Sequence, residues 1–194
     1  MATVRSGLEQ LVASPPANLG RQRLGLLANP ASVNRRFEHA RDLVARRFPG
    51  RLKTLFSPQH GFFAEKQDNM IASVDAKDPL LDIPIFSLYG EIRTPTAEML
   101  AQIDTLIVDL QDVGTRVYTF AYTVANCLEA ARQHGIKVII LDRPNPIGGV
   151  AVEGNLLKAC CASFVGRFEI PMRHGLTMGE LALLFNQHWQ IGCD

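Results

Sequence analysis

The sequence has no apolar run near the ~20 residues that span a bilayer, and its first residues, MATVRSGLEQLVAS, lack the apolar core of a signal peptide. A charge excess of one sign is also missing, because 20 basic residues balance 19 acidic ones to give a net charge of +1. A balanced charge gives no reason to expect nucleic acid or a membrane as a partner. These absences predict a soluble, cytoplasmic protein.

Several motifs that would define a site are absent as well. The four cysteines, Cys127, Cys160, Cys161 and Cys193, have no C-x-x-C spacing, so we expect free, mostly buried thiols. The chain lacks the glycine-rich loops of nucleotide-binding proteins, the G-x-S-x-G elbow of serine hydrolases and the H-E-x-x-H of zinc proteases. No cofactor is therefore predicted.

Five apolar runs predict buried strands, at residues 24–28, 52–56, 83–88, 105–110 and 137–141. Helical patterns occupy residues 37–48, 96–103 and 119–134, and an amphipathic helix follows Thr177. Alternating strands and helices predict an α/β fold, a Rossmann-like three-layer arrangement with a mainly parallel sheet flanked by helices. We expect residues 1–22 to form an N-terminal helical segment and residues 23–194 to form this domain.

Polar residues, with glycine or proline to shape the backbone, follow every predicted strand. Because ligands bind outside the carboxyl ends of open parallel sheets, we expect a polar crevice at this edge. The candidate substrate-binding residues are Asn29, Arg116, Tyr118, Asp142, Arg143, Asn145, Glu153, Arg173 and His174. The candidate catalytic residues are Gln59, His60, Glu65 and Asp112.

Two of the segments that follow predicted strands each allow two interpretations. In the segment DVGTRVYTF, Asp112 and Arg116 can form an ion pair beside Tyr118, which suits a polyhydroxylated ligand or only a structural salt bridge. In LDRPNPIGG, two prolines either present Asp142 and Arg143 rigidly toward the crevice or form a simple exit turn.

A third segment, MRHGLTMGE, contains both capping and candidate site residues. Thr177 and Glu180 have the spacing of a helix-capping box, which leaves Arg173 and His174 as candidates for a ligand-facing loop. A metal site is a further alternative, drawn from His60, Asp109, Asp112, Asp142 and His174, although no pair of them has a local ligand spacing.

Seven segments, in this order, carry a family resemblance: GLLANPASV, LFSPQHGFF, IPIFSLYG, IDTLIVDLQDVGTRVYTF, VIILDRPNPIGGVAVEGN, SFVG and IPMRHGLTMGELALLFN. Over residues 23–189 the chain resembles the exo-β-N-acetylmuramidase family, long described only as a conserved domain of unknown function. The resemblance implies a glycosidase of peptidoglycan recycling that releases N-acetylmuramic acid from the non-reducing end of peptidoglycan fragments.

The resemblance also implies a longer, two-domain protein. The Rossmann-like domain would be its N-terminal part, and a smaller C-terminal domain would be its partner, with the site in the cleft between them. The chain stops directly after an amphipathic helix, which fits this expectation.

The sequence departs from the family at Gln59, where many members have a glutamate in the form PEHG. An amide cannot transfer a proton near neutral pH, whereas glycoside hydrolysis ordinarily needs two carboxyl groups. If that position is essential, another carboxyl group such as Glu65, Asp112 or Glu153 must serve, or the domain only binds a sugar or cell-wall fragment. A metal-dependent hydrolase is the third hypothesis.

In the leading hypothesis, Asp112 or Glu65 is the acid/base and other side chains orient the sugar and its lactyl carboxylate. The orienting residues in this hypothesis are His60, Arg116, Arg143 and His174.

Overall fold

The computed structural model describes residues 4–64 and 75–194, and in this part of the chain six strands form one sheet. The strands are β1 (Leu24–Ala28), β2 (Leu52–Ser57), β3 (Ala76–Lys77), β4 (Pro84–Ser87), β5 (Thr105–Asp109) and β6 (Lys137–Ile140). Their order is β3-β4-β2-β1-β5-β6, and only the β3–β4 pair is antiparallel. The α/β prediction with a mainly parallel sheet is confirmed.

Helices cover both faces of this sheet. They are α1 (Gly7–Ala13), α2 (Ala40–Arg47), α3 (Ala97–Leu100), α4 (Phe120–His134) and α5 (Met178–His188), with short 3-10 turns at Leu19–Arg21 and Ala159–Cys161. The apolar side chains of α1 and α2 pack on one face, and those of α3, α4 and α5 pack on the other. The three layers follow because a parallel sheet is stable only when both of its faces are covered.

The alternation of side chains along each strand divides the core between the two faces. Leu27 and Phe56 belong to the cluster under α3 and α4, whereas Leu26 and Leu55 belong to the cluster under α1 and α2. All residues of β1 and β5 are buried, as the continuous apolar runs in the sequence indicate.

The helix ends show which local signals determine structure. Thr177 and Glu180 form the predicted capping box of α5, and Gly135 ends α4 with a φ of 67°, as its position predicted. A second capping box, between Ser6 and Glu9, begins α1.

The N-terminal segment packs directly against the sheet. Leu8, Leu11 and Leu19 are buried in the cluster under α1 and α2. Gly7 donates its backbone N–H to the carbonyl of Asp142 at 2.8 Å, and a Cβ at position 7 would lie 2.4 Å from the Asp142 nitrogen. The first helix is therefore fastened to the end of β6. A domain boundary at residue 22 stays a prediction.

The cysteine prediction was only partly right. All four thiols are free, and Cys127 and Cys193 are buried, but Cys160 and Cys161 are exposed on a 3-10 turn. Among the residues described, no helix has the length and apolar character needed to cross a membrane.

The order of the parallel strands determines where a ligand can bind. In chain order the five parallel strands would be numbered 1 to 5, and their arrangement across the sheet is 3-2-1-4-5, which is the order of the Rossmann fold. The direction of winding reverses between β1 and β5, and ligands bind outside the carboxyl ends of the strands at such a point.

Candidate functional site

A cleft of about 390 Å³ lies at the carboxyl ends of β1 and β2. It is lined by Asn29, Pro30, Ala31, Gln59, His60, Gly61, Ala64, Tyr118 and Phe120. Four predicted site residues, Asn29, Gln59, His60 and Tyr118, are thus brought together from three separate segments. The cleft has the mixed amide, imidazole and aromatic surface that suits a polar organic ligand.

The chain turns sharply where it leaves β2. His60 and Gly61 have φ values of 76° and 82°, and the Gly61 N–H donates to the carbonyl of Pro58 at 3.3 Å. A left-handed conformation is natural for glycine but uncommon for histidine. Non-glycine residues held in this region cluster at functional sites, which singles out His60 within the cleft.

Gln59 is held at the first turn of α4. Its Oε1 accepts a hydrogen bond from the Thr119 hydroxyl at 2.8 Å, and Thr119 is the N-cap residue of this 15-residue helix. The positive end of the helix dipole stabilises negative charge at that point. A carboxylate at position 59 could accept the same bond, so the place suits an ionised glutamate. Thr119 was not among the residues predicted for the site, although it stands at the start of the helical pattern at residues 119–134.

Burial and, secondly, the negative charge of Asp112 raise the pKa of Tyr118. The phenol therefore stays protonated at neutral pH and can donate a hydrogen bond into the cleft.

Asp112 and His174 form a buried pair. Nε2 of His174 lies 3.1 Å from Oδ2 of Asp112, although the contact is not aligned as a hydrogen bond, and Oδ1 of Asp112 is buried without a partner in the described structure. The Gly114 N–H donates to Oδ2 at 2.6 Å, and Nδ1 of His174 accepts from the Leu176 N–H at 3.1 Å. The pair connects the loop after β5 with the segment that leads into α5.

The expected ion pair between Asp112 and Arg116 does not form. Arg116 donates from Nη1 to the carbonyls of Asn155 and Ile170, at 2.8 and 2.7 Å, and its backbone N–H donates to the carbonyl of Met172 at 2.7 Å. Buried carbonyls need donors, so this arginine fastens the long connection after β6 to the rest of the domain.

Arg143 also has an internal partner. Its Nε and Nη2 donate to the two carboxylate oxygens of Asp109, at 2.5 and 2.9 Å, and its Nη1 donates to the carbonyl of Val33 at 3.0 Å. Burial raises the pKa of the Asp109 carboxyl, and the ion pair with Arg143 opposes that rise. The buried aspartate at the end of β5 therefore requires the charge of Arg143, and a role for Arg143 in orienting a ligand stays a prediction.

Asp142 and Asn145 stabilise the same connection. Asp142 accepts hydrogen bonds from the Thr177 hydroxyl and the Gly179 N–H, each at 2.8 Å, and so caps α5. Asn145 donates to the carbonyl of Leu176 at 2.9 Å. Both oxygens of the Asp142 carboxylate bind the start of α5, and a role for Asp142 in ligand binding stays a prediction.

Arg173 and Glu153 lie outside the cleft lining. Arg173 pairs with Glu153 at 3.4 Å and donates to the carbonyl of Ile147, and the backbone of Arg173 bridges to Thr115. Glu65 lies outside the described residues. In residues 4–64 and 75–194, no three histidine, cysteine, aspartate or glutamate side chains are grouped to hold a metal ion, so the metal hypothesis has no ligand set there.

The fold is an α/β domain with a Rossmann-order sheet, and the cleft at the carboxyl ends of β1 and β2 is its candidate ligand site. The chain belongs to the exo-β-N-acetylmuramidase NamZ family, because the model of the N-terminal domain of that family matches residues 24–194. The resemblance read from the seven sequence segments is confirmed.

Relatives of known identity agree with this assignment. Peptidoglycan β-N-acetylmuramidase NamZ of Bacillus subtilis (strain 168) is 42% identical over 193 residues, which are 98% of this chain and 46% of that protein. A crystal structure of a DUF1343 family protein of Bacteroides fragilis (BF0371) superposes with a TM-score of 0.88 at 37% identity, over 97% of this chain and 47% of that one.

A second Bacteroides fragilis DUF1343 structure (BF0379) gives a TM-score of 0.80 at 34% identity, over 96% of this chain and 48% of that one. The chain thus spans about half the length of the relatives it matches.

Proposed function

We propose that the protein, in its full natural length, is a glycosidase that releases N-acetylmuramic acid from the non-reducing end of peptidoglycan fragments. The observation that carries the proposal is the cleft at the carboxyl ends of β1 and β2, in a chain 42% identical to a protein named as a peptidoglycan β-N-acetylmuramidase. The second half that the relatives possess would close over this cleft as the protein's own C-terminal domain.

The groups in the cleft suit a sugar. Tyr118 offers apolar ring surface for the face of a pyranose, and its ring packs on the buried ring of Phe120 with centroids 4.5 Å apart. Asn29 and Gln59 offer amides that donate to and accept from hydroxyl groups. In this proposal His60, on its left-handed backbone, binds at the reacting end of the sugar.

The hydrolysis requires carboxyl groups that the described cleft lining does not contain. Two aspartate or glutamate residues are assigned to it. In this proposal Asp112 acts through Oδ1, the carboxylate oxygen that has no partner in the described structure. Glu65 follows the cleft residue Ala64 in the chain and is the second group.

The test is to incubate the full-length natural protein with disaccharide fragments bearing N-acetylmuramic acid at the non-reducing end and to detect the free sugar by mass spectrometry. We expect release of N-acetylmuramic acid, and a loss of release of about 100-fold or more in Asp112→Asn. Asp104→Asn is the matched control, because Asp104 pairs with Arg23 just before β5, at the opposite edge of the sheet. Intact disaccharide after prolonged incubation contradicts the proposal.

A second function, sugar binding without catalysis, is favoured by one specific observation. The position bound to Thr119 at the start of α4 carries an amide, Gln59, which can hold a ligand but cannot transfer a proton. Binding of N-acetylmuramic acid measured by calorimetry, with no turnover in the wild type and turnover in Gln59→Glu, would establish this second function.

A further inference from the structure

Arg93 lies in the loop after β4, where its side chain packs against two aromatic rings. It was not among the site residues predicted from the sequence. Its Cζ is 4.1 Å from the ring centroid of Phe164 and 5.5 Å from that of Tyr89, and the two rings are 5.8 Å apart. Its backbone carbonyl accepts a hydrogen bond from Nδ2 of Asn126 at 3.0 Å. Both the backbone and the guanidinium plane are therefore fixed.

The guanidinium of Arg93 is not neutralised by the described part of the protein. Arg143 pairs with Asp109 and Arg173 pairs with Glu153. Within residues 4–64 and 75–194, the side chain of Arg93 makes no hydrogen bond and no ion pair, and its polar contact is through the backbone carbonyl. A half-buried arginine with free N–H donors is a ready partner for an anion.

Arg93 is on the same edge of the sheet as the cleft. The parallel strands β2 and β4 are neighbours, and their last residues, Ser57 and Ser87, pair with each other. Gln59 lies in the loop after β2, and Arg93 lies in the loop after β4. Helix α4 connects the two places, because Thr119 at its start holds Gln59 and Asn126 holds Arg93. Seven residues of helix separate these contacts by about 10 Å, roughly the length of one sugar residue with an acidic substituent.

We infer that Arg93 binds the lactyl carboxylate that distinguishes N-acetylmuramic acid from N-acetylglucosamine. A guanidinium presents two parallel N–H donors that match the two oxygens of a carboxylate. Stacking on Phe164 engages the face of the guanidinium and leaves its N–H edge available. Arg93 is then the specificity residue of the site, and the inference rests on the proposed function.

The test compares the binding of N-acetylmuramic acid and N-acetylglucosamine by calorimetry, so that it does not depend on turnover. The proteins are the full-length wild type, Arg93→Gln, Arg93→Lys and the control Arg51→Gln, in which an exposed arginine before β2 is changed. We expect Arg93→Gln to weaken muramic acid about 10- to 100-fold and to leave N-acetylglucosamine within about twofold. Arg93→Lys keeps the positive charge but not the paired N–H donors of the guanidinium, so we expect it to recover part of the lost affinity for muramic acid. Arg51→Gln changes neither affinity.

The preference between the two sugars separates a binding role from a structural one. If Arg93 only held Phe164 in place, its replacement would weaken both sugars equally, and this result overturns the inference. An unchanged preference in Arg93→Gln overturns it too, while the proposed function stands. A wild type without preference for the acidic sugar overturns both. Loss of preference in Arg93→Gln, in a protein that never releases the sugar, supports the inference and rejects the proposed hydrolysis.

Discussion

Arg143 binds both carboxylate oxygens of Asp109 at the point where β5 ends, with donor–acceptor distances of 2.5 and 2.9 Å. The aspartate is fully buried and the arginine nearly so. This pair lies at the switch point of the sheet and also fastens the segment after β1, through the bond from Arg143 to the carbonyl of Val33. It therefore supports the edge of the sheet on which the cleft is formed.

We predict that breaking this pair destabilises the domain strongly. Asp109→Asn and Arg143→Met should each lower the free energy of unfolding by about 3–5 kcal/mol, because each leaves a buried group without its partner. The double variant should lose less than the sum of the two losses. Urea unfolding followed by circular dichroism measures all three values. Losses below about 1 kcal/mol, or strict additivity, would contradict the arrangement.

Gly114 is required in the turn after β5. Its φ is +85°, and a Cβ there would lie 2.5 Å from Oδ1 of Asn145 and from a side-chain carbon of Ile147. We expect Gly114→Ala to lower the free energy of unfolding by about 2–4 kcal/mol.

Gly135→Ala is the control for Gly114→Ala, since Gly135 has a φ of +67° with open space around it. It should lose only the cost of the left-handed conformation, about 1 kcal/mol. Thermal unfolding of the two variants side by side separates the steric clash of the added Cβ from the cost of the left-handed backbone. Equal losses of stability in the two variants would argue against the close packing at Gly114.

The place of Gln59 determines how a glutamate there would behave. The hydroxyl of Thr119 and the positive end of α4 both favour the ionised form, so the pKa of the new carboxyl in Gln59→Glu should lie below its ordinary range. We predict that Gln59→Glu gains turnover. The acid limb of its pH–rate profile should move to higher pH when Thr119→Val is added, because the carboxylate then loses the hydrogen bond from the hydroxyl. The pH–rate profiles of both variants test this, and an unmoved acid limb would mean that the hydroxyl does not contact the carboxylate.

Glu9 should make the stability of the N-terminal segment depend on pH in the acid range. The hydrogen bond from Arg35, followed by that from the backbone of Ser6, lowers the pKa of Glu9 to about 2. Because the pKa of Glu9 in the folded protein lies below its ordinary value of 4.5, this contribution is complete above about pH 4.5 and disappears as the pH falls toward 2.

Glu9→Gln should therefore flatten the loss of stability in that acid range and lower stability slightly at pH 7. The effect is small, since the pair is solvent-exposed and screened by salt. Urea midpoints recorded from pH 2 to 7, with Arg35→Gln for comparison, provide the measurement. An unchanged acid slope in both variants would contradict the pairing.

The strands were predictable from the sequence because their signal is local. The predicted run at residues 105–110 has Leu, Ile and Val at its centre, and the strand Thr105–Asp109 matches it to within one residue. The capping box of Thr177 and Glu180 is equally local. By contrast, β3 has only two exposed residues, too few to show a period, and it exists because β4 offers an edge on which to pair.

The partners of the charged site residues could not be predicted in the same way. Asp112 and Arg116 are one helical turn apart in the sequence, yet each binds a segment that follows β6. The stacking of Arg93 on Phe164 likewise joins two loops that only the folded sheet brings together. Sequence pattern indicates which edge carries the polar groups, whereas the tertiary packing decides which of them pair internally and which face a ligand.

The central claim is tested most directly by hydrolysis of a chromogenic N-acetylmuramic acid β-glycoside by the full-length natural protein, beside the corresponding N-acetylglucosaminide. The account predicts release of the chromophore from the muramide, with little or none from the glucosaminide. Equal release from both, or release from the glucosaminide alone, would contradict muramic acid selectivity. Release from neither would contradict the assignment of catalysis to this chain with Gln59 in its cleft.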